Sequence, residues 1–217
     1  MGADHLGRDV FARLAEGGWR AMSAALSAAA LALTGGLLLG LLSALAPHSA
    51  GFLAMRLADL LALVPEIVIA ILVVAVLGPS VFSIALGLGI AATGSAALLV
   101  HGLTQQAQRE GYVISARALG ASKLHVARWH LLPAVLPPLL TYIAGHVGHL
   151  ALGYSALAFL GLGADSGAPD WGSMMFEYRA YWFEDPMLVI LPGMALLLFS
   201  AGMNLLIEPQ RNTTLWK

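Results

Sequence analysis

Residues 82–103 read FSIALGLGIAATGSAALLVHGL, a stretch without a single Asp, Glu, Lys or Arg. A bilayer core about 30 Å thick is crossed by roughly 20 apolar residues of helix, so this stretch is long enough for one span. The same absence of charge recurs between Arg20 and Arg56, between Glu66 and Arg109, between Arg128 and Asp165, and between Asp185 and Glu208. Over all 217 residues, 59% are apolar and only 11% charged, with a mean hydropathy of +0.81. The apolar share is well above, and the charged share less than half of, what soluble domains carry. The chain is therefore expected to be an all-α, polytopic helical membrane protein forming a single transmembrane domain over residues 1–217.

Turn-forming clusters divide it into about five spans. The first covers residues 19–46 and ends at Pro47-His48-Ser49; the second covers 52–77 and ends at Gly78-Pro79-Ser80. The third is the stretch quoted above, and the fourth and fifth cover 131–154 and 187–207. Gly36 and Gly40 in the first span, and Gly87, Gly89 and Gly94 in the third, suit close helix packing in lipid. Residues 1–18 form a polar, amphipathic leading segment, with Leu6, Val10, Phe11 and Leu14 at helical spacing. That spacing predicts a short interfacial helix. Between spans lie a polar loop at 104–130 and a longer segment at 155–186. The positive-inside rule places the 104–130 loop in the cytoplasm, because Arg109, Arg117, Lys123, Arg128, Arg211 and Lys217 then all lie inside. The N-terminus and the 155–186 segment, with Asp165, Asp170, Glu177, Glu184 and Asp185, are then outside, and the C-terminus is cytoplasmic.

Several functions are disfavoured. A formal net charge of -1 leaves no basic surplus for a phosphate backbone, so nucleic acid is not an expected partner. Zero cysteines remove disulfides, thiolate metal sites and thiol nucleophiles. Neither lysine follows a glycine-rich phosphate loop, and no hydrolase or metalloprotease motif is present. Nothing points to catalysis or a bound cofactor in this chain.

The 104–130 loop carries the most information. Within it, Tyr112, Val113, Ala116 and Leu119 fall on one helical face. Gly120 suits a left-handed helix end, and Ser122 suits the cap of a second helix through His130. Spacing alone leaves two readings open: a helix lying on the membrane surface, or a knob docking into a groove on a partner.

The segment Tyr112-Val113-Ile114-Ser115-Ala116-Arg117-Ala118-Leu119-Gly120-Ala121-Ser122, followed by His130-Leu131-Leu132-Pro133, resembles the EAA loop of binding-protein-dependent ABC importer permeases. Three further stretches are similar to the peptide/nickel branch in the same order: Gly2-Ala3-Asp4-His5-Leu6-Gly7-Arg8-Asp9-Val10-Phe11, Phe159-Leu160-Gly161-Leu162-Gly163 and Pro169-Asp170-Trp171-Gly172-Ser173-Met174. The resemblance covers essentially the whole chain. It implies a type I importer permease fold in a bacterial inner membrane, with no ATPase site in this chain. It also implies partners: a homologous second permease, two ATP-binding subunits and an extracytoplasmic solute-binding protein. Tyr112, Val113, Ala116, Arg117, Leu119, Gly120 and Ala121 would form the ATPase-coupling loop, and the 155–186 segment the docking face for the binding protein. Two departures stand out. Ile114 and Ser115 replace the acidic residue and first alanine of the usual motif, which puts any salt bridge there in doubt. The family also usually carries a span before the Gly-Ala-Asp-His-Leu-Gly-Arg-Asp stretch, six in all, so an internal start codon is the expectation favoured over a shortened permease.

Ionisable groups at membrane depth cost at least ~2.5–3.5 kcal/mol each on insertion scales and mark either a path or an interhelical partner. Asp59 and Glu66, seven apart in the second span, are expected on nearly the same face; Asp59 and Pro65 match a block of the family pattern by resemblance. His146 and His149, three apart in the fourth span, share a face. These four are the translocation-path candidates. Helix–helix hydrogen bonding competes with path lining for Glu66 and the histidines, and an interface position near the cytoplasmic end competes for Asp59. A histidine after glycine here resembles nickel-transporting members, and imidazole suits Ni²⁺. Spacing assigns no third ligand, so no metal site is assigned. The expected function is the permease subunit of an ATP-driven importer for peptides, nickel or a metal chelate. The rivals are an ion-coupled secondary transporter using the same ionisable groups and an anchoring subunit without a path.

Overall fold

The computed structural model describes residues 2–163 and 168–214. Met1, Asp165, Gly167, Lys217 and the side chain of Arg211 lie outside what it describes. The chain is built of helices: α1 (Val10–Leu45), α2 (His48–Leu63), α3 (Glu66–Leu77), α4 (Val81–Ala107), α5 (Gly111–Ala118), α6 (Lys123–Val126), α7 (Leu132–Leu157), α8 (Trp171–Tyr178) and α9 (Met187–Thr214). Wide π turns at Ala127–Leu131 and Ala158–Leu162 flank α7. Among the described residues, α1, α4, the continuous run Lys123–Leu162 and Met187–Leu205 are each long and apolar enough to cross a membrane. The pair α2 and α3 makes a fifth crossing only if the two are taken together, because they meet at 96°.

The core is a seam of small residues. Ala21, Ala24, Ala25, Ala28, Ala29, Ala32, Gly36 and Gly40 form the buried face of α1, and Gly87, Ala92, Ala96, Ala97 and Val100 are among the buried residues of α4. In lipid the hydrophobic effect between helices is absent, so association rests on close packing, which small side chains permit. A Cβ on Gly36 would collide with the Ala96 side chain, and one on Gly40 would lie 2.5 Å from Val100 Cβ. α7 and α9 close the bundle. Leu139, Leu150, Tyr154 and Leu157 of α7 are fully buried, and Gly148 lets the Ser200 backbone of α9 approach closely.

Three expectations are corrected. Among the described residues, 2–18 do not form a separate interfacial helix. Asp9 caps α1, its carboxylate accepting from the Phe11 and Ala12 N–H groups, and α1 then runs unbroken to Leu45. Leu6 and Phe11 are exposed while Val10 is buried, so the anticipated face does not exist. Gly17 and Gly18 lie within α1, and the absence of a side chain there lets Asp170 and Trp171 approach closely. The second correction is that the 52–77 span is not one straight helix; Pro65, which lacks an N–H, breaks it. The third concerns α5, where Val113 is buried and Ala116 half-buried while Tyr112 and Leu119 face outward.

At one end of α1, the segment before it is tied to α8. Arg8 pairs with Asp4 and Glu177, and Arg13 reaches Glu177 at 2.7 Å. The Tyr178 hydroxyl donates to Asp4 at 3.0 Å, and Trp171 Nε1 donates to the Leu14 carbonyl at 3.0 Å. Burial alone would raise the Asp4 carboxyl, but the hydrogen bonds from Arg8, Tyr178 and the Leu6 N–H outweigh it and hold the group well below the usual carboxylate range. Burial and the Asp4 contact push the Tyr178 hydroxyl up to about 12. At the other end of α1, Leu45 packs on a small cluster of Ala107, Val113, Val126 and Leu131. α5 and α8 therefore sit at opposite ends of a helix that is about 54 Å long at 1.5 Å per residue.

Replacing Gly36 with Leu should overpack the α1–α4 seam and destabilise the fold by about 1–3 kcal/mol. Thermal unfolding in detergent should show a clear drop in melting temperature, whereas Gly102→Leu, where a Cβ meets open space, should change it little.

Candidate functional site

The site begins at Pro65. With its φ at -54° and no N–H to give, it ends α2 and starts α3, and Glu66 becomes the first residue of the new helix. A carboxylate is favoured there because the free N–H groups of the first turn carry a partial positive charge. The same break carries Glu66 away from Asp59. Asp59 remains on α2, where it accepts a 3.3 Å hydrogen bond from Arg56 one turn earlier. The expected shared face of Asp59 and Glu66 is thus overturned by a bend inside the seven-residue interval.

Glu66 meets α7 instead. Its Oε1 lies 3.0 Å from His146 Nε2, and its Oε2 lies 3.4 Å from His149 Nε2. The two imidazoles, three residues apart on one helical face, have ring centroids 4.9 Å apart. Tyr142, one turn before His146, stacks on it at 5.7 Å and 15°. Glu66 and His146 are mostly buried, while the His149 side chain is 62% exposed and opens the cluster to the space beside it.

That space is a cleft of about 550 Å³. It is walled by the break at Leu61–Ile67, by Leu88, Ala91 and Ser95 of α4, and by His149, Leu152, Gly153 and Ala156 of α7. The walls are mainly apolar, with Glu66, His149 and Ser95 supplying polar groups. Of the four intramembrane candidates, three converge and Asp59 stays apart. Tyr142 joins the cluster beyond those candidates; its position one turn before His146 is the sequence signal for it.

The loop residues form a second constellation. Helix α5 ends at Ala118, the chain turns at Gly120, whose φ of +88° is left-handed, and Ser122 caps α6 by accepting from the His125 N–H at 3.2 Å. Val113 anchors α5 with Ala121 packed nearby, and Arg117 donates to Gln108 at 3.1 Å. Tyr112, Ile114, Leu119 and Leu124 are all exposed, leaving an apolar, unpartnered surface at this end of the bundle. Ile114 and Ser115, the two departures from the family pattern, lie on it.

Because the chain has no cysteine, the convergence can be read by cross-linking without background. The double variant Glu66→Cys/His146→Cys should be joined efficiently by a short bifunctional methanethiosulfonate, and Asp59→Cys/His146→Cys much less so. Equal yields would contradict the break.

Residues 36–208 match the family described as binding-protein-dependent transport system inner membrane component. Among curated relatives, the probable D,D-dipeptide transport system permease protein DdpC of Escherichia coli K12 is 34% identical over 205 residues, covering 94% of this chain and 69% of that one. The di/tripeptide permease DppC of Pseudomonas aeruginosa UCBPP-PA14 is 32% identical, covering 95% and 68%. The nickel permease NikC of Escherichia coli K12 is 29% identical, covering 98% and 76%. Among solved structures, the inward-facing MetNI methionine ABC transporter superposes with a TM-score of 0.73 at 18% identity over 92% of this chain and 95% of that one. An amino acid ABC transporter with histidines gives 0.74 at 13% identity over 94% of each. Helix order, the apolar bundle and these relatives agree, and the chain belongs to the binding-protein-dependent family of ABC importer permease subunits.

Proposed function

We propose that this chain is one of two membrane-spanning subunits of an ATP-driven importer, taking peptides, nickel or a metal chelate from an extracytoplasmic binding protein into the cytoplasm. ATP hydrolysis belongs to separate partner subunits in this reading. The observation that carries it is α5: a short helix held to the bundle by Val113 and stopped at Gly120, with Tyr112, Ile114 and Leu119 facing outward. An apolar helix face of that kind fits a groove on a partner. Residues 104–130 lie on the cytoplasmic side and residues 155–186 on the opposite side, consistent with α5 and α8 at opposite ends of α1. Closure of the ATPase pair would push α5 and switch the bundle between two access states. The cleft beside Glu66 is the path through this subunit. The relatives named for dipeptides and for nickel support that range of solutes.

Gly120 has open space where a side chain would stand, yet its left-handed backbone is unfavourable for any other residue by about 1–2 kcal/mol. Gly120→Trp should therefore insert and fold while transport falls steeply. The assay is uptake of labelled dipeptide and of labelled nickel, side by side, in cells with and without the gene. Normal uptake in the variant would contradict the coupling role, and uptake independent of ATP would contradict the reading as a whole.

A further inference from the structure

We propose that Glu66, His146 and His149 form a three-donor site for a divalent late transition-metal ion, one that ties α3 to α7 at the mouth of the cleft. All three donor atoms lie within 4.8 Å of one another. An ion with bonds of about 2.0–2.1 Å to nitrogen holds tetrahedral ligands about 3.3 Å apart and octahedral neighbours about 2.9 Å apart. Glu66 Oε1 lies 3.0 Å from His146 Nε2 and Oε2 lies 3.4 Å from His149 Nε2, each close to one such edge, so the carboxylate already faces both imidazoles. The two histidines come from one helix face and the carboxylate from the facing helix start, so the donors converge on one side of the ion. The other side opens through the exposed His149 to the cleft, leaving positions for water or for a donor atom of a solute.

The donor set selects the ion. Two neutral imidazoles and one carboxylate suit Cu²⁺, Ni²⁺ and Zn²⁺, with Cu²⁺ held most tightly. Mg²⁺ and Ca²⁺ require oxygen-rich cages and should not compete. Stacking of Tyr142 on His146 limits the rotation of that ring and favours the converging geometry. An ion here would pin α3, the element following the Pro65 break, against α7. The site then acts as a metal-operated clasp across the cleft, whatever solute the importer carries. The assignment stands on these three side chains and not on the transport reading.

The experiment uses the full chain, purified in detergent with the subunits that accompany it. Cu²⁺ at one equivalent should give an electron paramagnetic resonance spectrum with hyperfine coupling to two imidazole nitrogens. Equilibrium dialysis with Ni²⁺ should show one saturable site that excess Mg²⁺ leaves unaffected. His146→Gln and His149→Gln should each remove one nitrogen coupling, and either of these or Glu66→Gln should weaken Ni²⁺ binding by about tenfold or more, the range seen for losing even an outer-shell partner. Absence of two-nitrogen coupling in the wild-type spectrum would overturn the site without need of any variant. So would Ni²⁺ binding unchanged in the His146→Gln/His149→Gln double variant. ATP-dependent dipeptide uptake by a protein that binds no metal would discard the clasp while leaving the importer reading intact.

Discussion

The contact on which the structure depends is the seam between α1 and α4, where alanine and glycine meet over most of both helices. Lipid is as apolar as leucine, so helices gain nothing by hiding large side chains from it. They gain by approaching until backbones nearly touch. The collisions a Cβ would meet at Gly36, Gly40 and Gly89 in this seam, and at Gly87 and Gly94 where α4 meets α3 and α2, show how fully that option is used. Large residues such as Leu38, Leu53 and Val76 are left on the outside, the reverse of a water-soluble core. Around this rigid pair, α7 and α9 pack more conventionally, and the broken α2–α3 unit is the part whose geometry differs most from a simple bundle.

That break gives the site its character. A continuous helix through residue 66 would have kept Glu66 in register with Asp59. Instead the Pro65 bend turns a helix start toward α7, and a carboxylate placed at that start meets two histidines. Each group alone is expensive at membrane depth. Together they pair, with Glu66 hydrogen-bonded to His146 and His149 3.4 Å away, and the polar cluster persists beside a mainly apolar cleft.

Much of this was legible in the sequence. Charge-free stretches located the crossing helices, because a charged side chain at membrane depth is costly along the whole length of a span. The helix stop at Gly120 and the cap at Ser122 were legible too, since both are local backbone chemistry. Less legible was anything set by contact between distant segments. The four apolar residues between 6 and 14 suggested a separate amphipathic helix, but Asp9 caps a helix that runs on to Leu45, and the Asp4–Arg8–Glu177 network ties the segment before it to α8. Pro65 stood in plain view inside the second span, yet hydropathy alone does not distinguish a kinked helix from a 96° turn. Consequently the pairing of Glu66 with His146 could not be anticipated from spacing, even though both residues were singled out.

Family membership rests on residues 36–208 and on relatives covering most of the chain; the proposed orientation and coupling both place α5 in the cytoplasm. In a chain without native cysteine, Leu119→Cys offers a nearly fully exposed reporter beside that helix. The most direct measurement is its labelling by a membrane-impermeant maleimide in intact cells and in inside-out vesicles, with and without the ATP-binding subunits. The account predicts no labelling in intact cells, strong labelling in vesicles, and protection when the ATP-binding subunits are restored. Labelling from outside intact cells, or equal labelling with and without those subunits, would contradict it.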